Sequence, residues 1–147
     1  MGHYRRVPSD VSAQPTEACP GCGAVLVRPD DAAPPHPGAS ASCARLFEDT
    51  LRGLREEAGA DATAAAAVRR ADVAYDAQHA DPDDPGRLRA ALGALGMSPA
   101  EQHRPPAWRT TIADVAADLD VIDLGVLVEA WARSVAEDWS GVSAARD

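Results

Sequence analysis

The sequence predicts an all-α fold, a small helical bundle with an N-terminal metal-binding loop. Three observations lead there. Apolar residues recur at intervals of three and four along most of the chain beyond residue 43, no strand pair, βαβ alternation or internal repeat is visible, and ACPGCGAVL at 18–26 holds two thiols in a C-x-x-C spacing.

A chain of 147 residues fits one domain. Residues 1–17 carry prolines, serines and arginines without periodicity and read as a flexible N-terminal tail; 18–140 form the single zinc-bound helical domain and 141–147 a C-terminal tail. The clamp opens the domain, with Val25 to Val27 a short extended piece beside it. RPDDAAPPHPGAS, at 28–40, is too rich in proline for a helix or central strand and reads as a loop.

From Cys43 a helix is expected, with Cys43, Leu46, Phe47, Thr50, Leu51 and Leu54 on one side, Ser42 as N-cap and Gly59 as the stop. Asp61 or Thr63 opens a second helix, whose stripe is Ala64, Val68, Ala71, Tyr75 and His79 and which ADPDDPG terminates. Leu88 to Leu95 makes a short third. After the loop SPAEQHRPPAWR comes a short capped helix in TTIADVAADL, with Ile112, Val115, Ala116 and Leu119 together. The last helix, from about Val121 to Ser140, carries Leu124, Leu127, Val128, Trp131, Val135 and Trp139 in one stripe, read as core filling.

Composition says why such a chain needs a metal. Alanine supplies 32 residues, whereas Leu, Ile, Val and Phe together supply 25, and the net charge is −9. Few large aliphatics and high charge are the signature of a chain that folds poorly unaided. Alanine makes helix cheap but buries little. A structural zinc contributes on the order of 10 kcal/mol, comparable to the whole stability of a small domain.

All 14 basic residues are arginine, a codon bias pointing to a GC-rich bacterial genome. The acidic balance, with a pI near 4.8, argues against a nucleic-acid partner, because phosphate binding needs a basic footprint. The absence of an 18-residue apolar run and of a hydrophobic region in MGHYRRVPSD predicts no membrane segment and a cytoplasmic location. There, three cysteines favour metal over disulfide.

Zinc takes four ligands in a tetrahedron, with thiolate and imidazole the natural set. Cys19 and Cys22 supply two, on a turn of Pro20 and Gly21. A redox C-x-x-C is the competitor, but it belongs between a strand and a helix of a βαβ unit, which is absent. Cys43, at a helix N-terminus just beyond the loop that leaves the clamp, is the third candidate; its plain alternative is a small buried hydrophobe. For the fourth, an antiparallel hairpin of the first two helices, each roughly 25 Å long, brings His79 beside Cys43. His36 is the rival. The helical His79 is favoured because it is held more rigidly; His36 otherwise becomes a supporting donor or substrate contact. Tyr75 and Gln78, next to His79 on the helix, are core residues or, alternatively, pocket lining. His3 and His103 have no spacing partner, and Asp81, Asp83 and Asp84 lack the glycine and distal glutamate of a calcium loop.

The order of CPGCG, a histidine in a Pro/Gly-rich loop, a helix-opening cysteine, AYDAQH at 74–79 and VEAWARSVAEDW near the C-terminus resembles an uncharacterised family of small bacterial proteins. The similarity spans Cys19 to Trp139. It implies one compact unit with a shared metal site and names no reaction. The chain departs from the family pattern at Ala44, where an aromatic residue is usual, at Val68 or its neighbour, where a histidine is usual, at Ala80, usually proline, and near Ala136, where a second tryptophan is usual.

Two functional readings follow. In the first, Zn2+ is structural and the domain is an interaction or regulatory module for a protein or small-molecule partner, because four protein ligands leave no open coordination position. In the second, the protein is a zinc-dependent enzyme, for metal-assisted hydrolysis or a small biosynthetic transformation. His36, Asp72 or Asp76 would then accept the proton of a zinc-bound water. The catalytic residues themselves are not legible.

Overall fold

The structure, a computed structural model, describes residues 14–29, 36–97 and 104–141. His3 and His103, the bulk of the N-terminal tail and most of the C-terminal one lie outside them. The order is β1 (Thr16–Ala18), β2 (Val25–Val27), α1 (Ala41–Glu57), α2 (Ala62–Gln78), α3 (Pro85–Ala94), α4 (Ile112–Ala117) and α5 (Leu124–Ser140).

The chain is mostly helical, but the expected absence of strand pairing is overturned. β1 and β2 pair antiparallel, with Glu17 opposite Leu26, and the C-x-x-C turn closes the hairpin. Thr16 and Glu17, grouped with the tail on sequence grounds, thus belong to a strand. Two three-residue strands cannot stand alone in water. This pair is tied to α1, because the Glu17 carboxylate accepts the backbone N–H of Ser42 at 2.8 Å, one of the unpaired donors of the helix's first turn. That hydrogen bond holds the Glu17 carboxyl below the usual range.

Each helix starts on a polar cap. Ser40, not the expected Ser42, caps α1 and accepts the N–H of Cys43 at 3.1 Å; Ser42 is buried at the second position of the helix. Asp61 caps α2 and Asp84 caps α3, which has Pro85 in its first turn. Thr111 and Asp114 form a reciprocal capping box on α4. That helix stops at Ala117, which leaves Leu119 exposed rather than in the stripe. Asp123 caps α5, shortening it at its start to Leu124, and Gly141 ends it in the left-handed region.

α2 is the central helix. It packs against α1, α3 and α5, so its C-terminal half is buried over most of its circumference, at Ala71, Ala74, Tyr75, Ala77 and Gln78. A single-stripe reading understates this face. Small alanine side chains let three neighbours approach one helix, and Val68, expected in the core, is only half-buried. From α5, Leu127, Val128, Trp131, Val135 and Trp139 fill the interior. Phe47 stacks on Tyr75 with centroids 4.0 Å apart, and Trp139 Nε1 donates to the carbonyl of Ala77 at 3.0 Å. Among the described residues no helix is long and apolar enough to cross a membrane.

Candidate metal centre

Three segments meet at the end of the α1–α2 hairpin where α1 begins and α2 finishes. The β1–β2 turn delivers Cys19 and Cys22. Its loop is closed by Cys19 N to Ala24 O and Gly23 N to Cys19 O, both 2.9 Å, and Gly23 takes a φ of +83° that side chains disfavour. α1 delivers Cys43 from its first turn, and α2 delivers His79 as its C-cap. All four residues are buried, and their ligand atoms lie within 4.8 Å of one another. The group could hold a metal ion.

The distances bear on which ion. A tetrahedron with zinc–sulfur bonds of about 2.3 Å and a zinc–nitrogen bond of about 2.0–2.1 Å has edges of roughly 3.8 Å between sulfurs and 3.6 Å from sulfur to nitrogen. Cys22 Sγ lies 3.8 Å from Cys43 Sγ, and Cys43 Sγ lies 3.5 Å from His79 Nε2. His79 is also set in the required tautomer. Its Nδ1 is 2.7 Å from the carbonyl of Tyr75, which can only accept, so the proton is on Nδ1 and the Nε2 lone pair faces the sulfurs.

Three clustered thiols split their titration. Hydrogen bonds from Cys22 and Cys43 hold the Cys19 thiol well below its usual range. Cys22 is pushed up to about 11, first by its hydrogen bond to Cys19, with burial adding to it. Cys43 is driven higher still, again chiefly by Cys19. Near neutral pH the direction of these shifts favours a single thiolate, at Cys19, that the other two thiols hydrogen-bond, and a divalent ion would favour release of their protons as well. Around them stand donors rather than acceptors. Ser40 N–H points at Cys19 Sγ at 3.5 Å. The Tyr75 hydroxyl, kept protonated chiefly by burial, lies 3.2 Å from Cys43 Sγ.

The other expected site residues divide clearly. His36 is outside the four-atom cluster. Its Nδ1 accepts the Gly38 N–H at 3.3 Å, so Nε2 carries the proton toward Asp76 Oδ1, also at 3.3 Å. Its ring wedges edge-on against Tyr75 and His79, with centroids 5.0 and 5.7 Å away. Asp76 is penalised by burial, but hydrogen bonds from His36 and Arg87 outweigh this and hold it below the carboxylate range. Gln78 donates to Thr110 O at 2.7 Å and accepts from Trp131 Nε1 at 3.1 Å. With Tyr75 it is buried in the core, not on a pocket wall.

Sequence reasoning missed Arg104 and Trp108. Arg104 Nη2 donates to Pro20 O and Gly21 O at 3.0 and 2.9 Å, and Trp108 Nε1 donates to Gly21 O at 2.9 Å. Both satisfy carbonyls that the tight turn leaves without backbone partners, from a stretch read as a polar loop. Only two strong donors in a proline-rich segment hinted at it. A cleft of about 590 Å³ runs between the turn and this segment, with Cys19, Cys22, Arg104, Pro105 and Trp108 in its walls.

Gly21 and Gly38 show how closely the segments pack. A Cβ on Gly21 would overlap the His79 ring and fall 2.6 Å from Gly38 O, and one on Gly38 would fall 2.5 Å from His79 O. Only glycine permits either approach.

A family described as of unknown function, DUF5946, matches residues 17–98 and 93–140. No curated protein and no solved structure matches the chain.

Proposed function

The chain belongs to DUF5946, a family of unknown function, and for this member we propose a structural zinc domain that serves as an interaction or regulatory module. Cys19, Cys22, Cys43 and His79 hold Zn2+ and fasten the hairpin to the helices. The observation that carries this is the convergence of four buried donor atoms within 4.8 Å, the Cys22–Cys43 and Cys43–His79 edges fitting a zinc tetrahedron, with the histidine already in the ligating tautomer. Four protein ligands saturate the ion, and a saturated ion stabilises rather than reacts.

The reading is tested by metal content. Purified protein is expected to carry one equivalent of zinc by elemental analysis. His36→Ala is expected to keep that equivalent while losing about 1–2 kcal/mol in urea unfolding, because Asp76 loses a hydrogen-bond partner. Zinc-free His36→Ala protein would instead make His36 a ligand. Gly21→Ala is expected to weaken zinc affinity about 10–100-fold in a chelator competition by displacing the His79 ring. An unchanged affinity would mean that the turn and His79 are not held by one ion.

A zinc-dependent enzyme, by metal-assisted hydrolysis or a small biosynthetic transformation, draws support from the cleft beside Cys19 and Cys22. Three features weigh against it. The thiolate-rich set lowers Lewis acidity and leaves no open position. Both His36 nitrogens are engaged elsewhere. The candidate bases are paired, Asp72 with Arg55 and Asp76 with His36 and Arg87.

A further inference from the structure

The opposite end of the bundle carries a second cavity. It is a groove of about 420 Å³ where the end of α1, the start of α2 and the start of α5 converge. Its floor is small and apolar, with Gly53, Ala64, Ala67 and Gly125 between Leu54 and Leu124, and Glu57, Asp61 and Asp123 are its charged members. No basic side chain lines it. The α2 and α5 N-termini add about half a positive charge each, and the α1 C-terminus about half a negative one, so the three carboxylates leave the groove negative.

The segment that leads into α5 and supplies Asp123, Leu124 and Gly125 to this groove carries several exposed apolar side chains. Val121 is 81% exposed and Val126 60%, and Leu119 and Ile122 are exposed as well. They flank Asp123 and Gly125 in the chain, with Asp120 among them and Asp118 just before. Val121, just before α5, and Val126, in its first turn, are too exposed to serve the core and are free to meet an apolar partner surface.

We propose that this groove and its Val121–Val126 flank dock a cationic amphipathic segment of a partner protein, apolar on the face that meets the valines and basic on the edge that meets Glu57, Asp61 and Asp123. This rests on the module reading above and names its partner class. Charge decides the occupant. A second copy would bring another net charge of −9 to an acidic rim, whereas arginine or lysine on the incoming segment complements it.

The probe is a synthetic helical peptide with leucine on one face and lysine on the other, titrated into the zinc-loaded full chain by amide NMR. Saturable shifts are expected at Gly53, Ala64, Gly125 and Val126. A peptide with glutamate replacing lysine is expected not to bind. The variant Glu57→Gln/Asp61→Asn/Asp123→Asn keeps the helix caps, since asparagine caps as well as aspartate, and is expected to weaken binding at least about tenfold. Val126→Ser, on the exposed apolar flank, is expected to weaken it too. Shifts scattered over the surface, or affinity indifferent to both variants, would overturn the proposal. So would a dimer in sedimentation equilibrium that Val126→Ser dissociates, since a second copy would then be the occupant. Zinc content and melting on the same sample separate the outcomes: a folded, zinc-loaded chain that ignores the peptide removes the docking surface and leaves the metal reading standing.

Discussion

Cys43→Ala is expected to unfold the domain, not merely to loosen one loop. Cys43 is fully buried and is the one thiol on a helix, in contact with Cys22, Tyr75 and His79. Its loss removes a ligand and leaves three donors unable to saturate zinc. A zinc ion bound there would contribute on the order of 10 kcal/mol, comparable to the 5–15 kcal/mol that stabilises a typical domain. This interior has little in reserve, since alanines from α2, α3 and α5 occupy positions that larger side chains would otherwise fill. The far-ultraviolet helical signal of the variant should therefore fall, with no cooperative melt at neutral pH, and chelating the wild type should do the same. Since thiols must lose protons to bind, the zinc affinity of the wild type should strengthen as pH rises. A chelated wild type that keeps its helical signal and its melting point would show that the ion does not hold the fold.

Trp131→Ala should be the largest single loss away from the metal. The indole is completely buried on α5, edge-on to Phe47 and Tyr75 at 6.0 and 6.4 Å, and donates to Gln78 Oε1 at 3.1 Å. Truncation to alanine costs about 3–5 kcal/mol in packing and cavity. The orphaned Gln78 acceptor adds about 1–3 kcal/mol. Trp131→Phe keeps much of the volume and loses the donor, so it should fall between. Urea unfolding at saturating zinc should rank wild type above phenylalanine above alanine. Equal midpoints for all three would remove Trp131 from the core that positions α2 and His79.

The centre was legible where the chain's own geometry determined it. Helix lengths and an antiparallel hairpin placed His79 beside Cys43, because two helices of nearly equal length folded back on one another bring the first turn of one to the end of the other, here 17 residues each. The hairpin was not legible for an equally physical reason. TEA and VLV are too short to display a period of two, and Val25 and Val27 point outward, so the apolar run hides the alternation that identifies a strand. Arg104 and Trp108 reach the turn across more than eighty residues, and no local pattern encodes a donor for a carbonyl that distant. The breadth of the buried face of α2 was hidden because alanine satisfies both a surface helix and a three-sided core.

The close approaches at Gly21 and Gly38 also decide from which side the four donors are reached. The His79 imidazole is wholly buried under the turn, whereas Cys19 and Cys22 border the cleft, so a metal seated among the four would be approached from the cysteine side. Arg104 and Trp108, which donate to the carbonyls of that turn, line the same opening, so the segment that braces the turn also borders its approach.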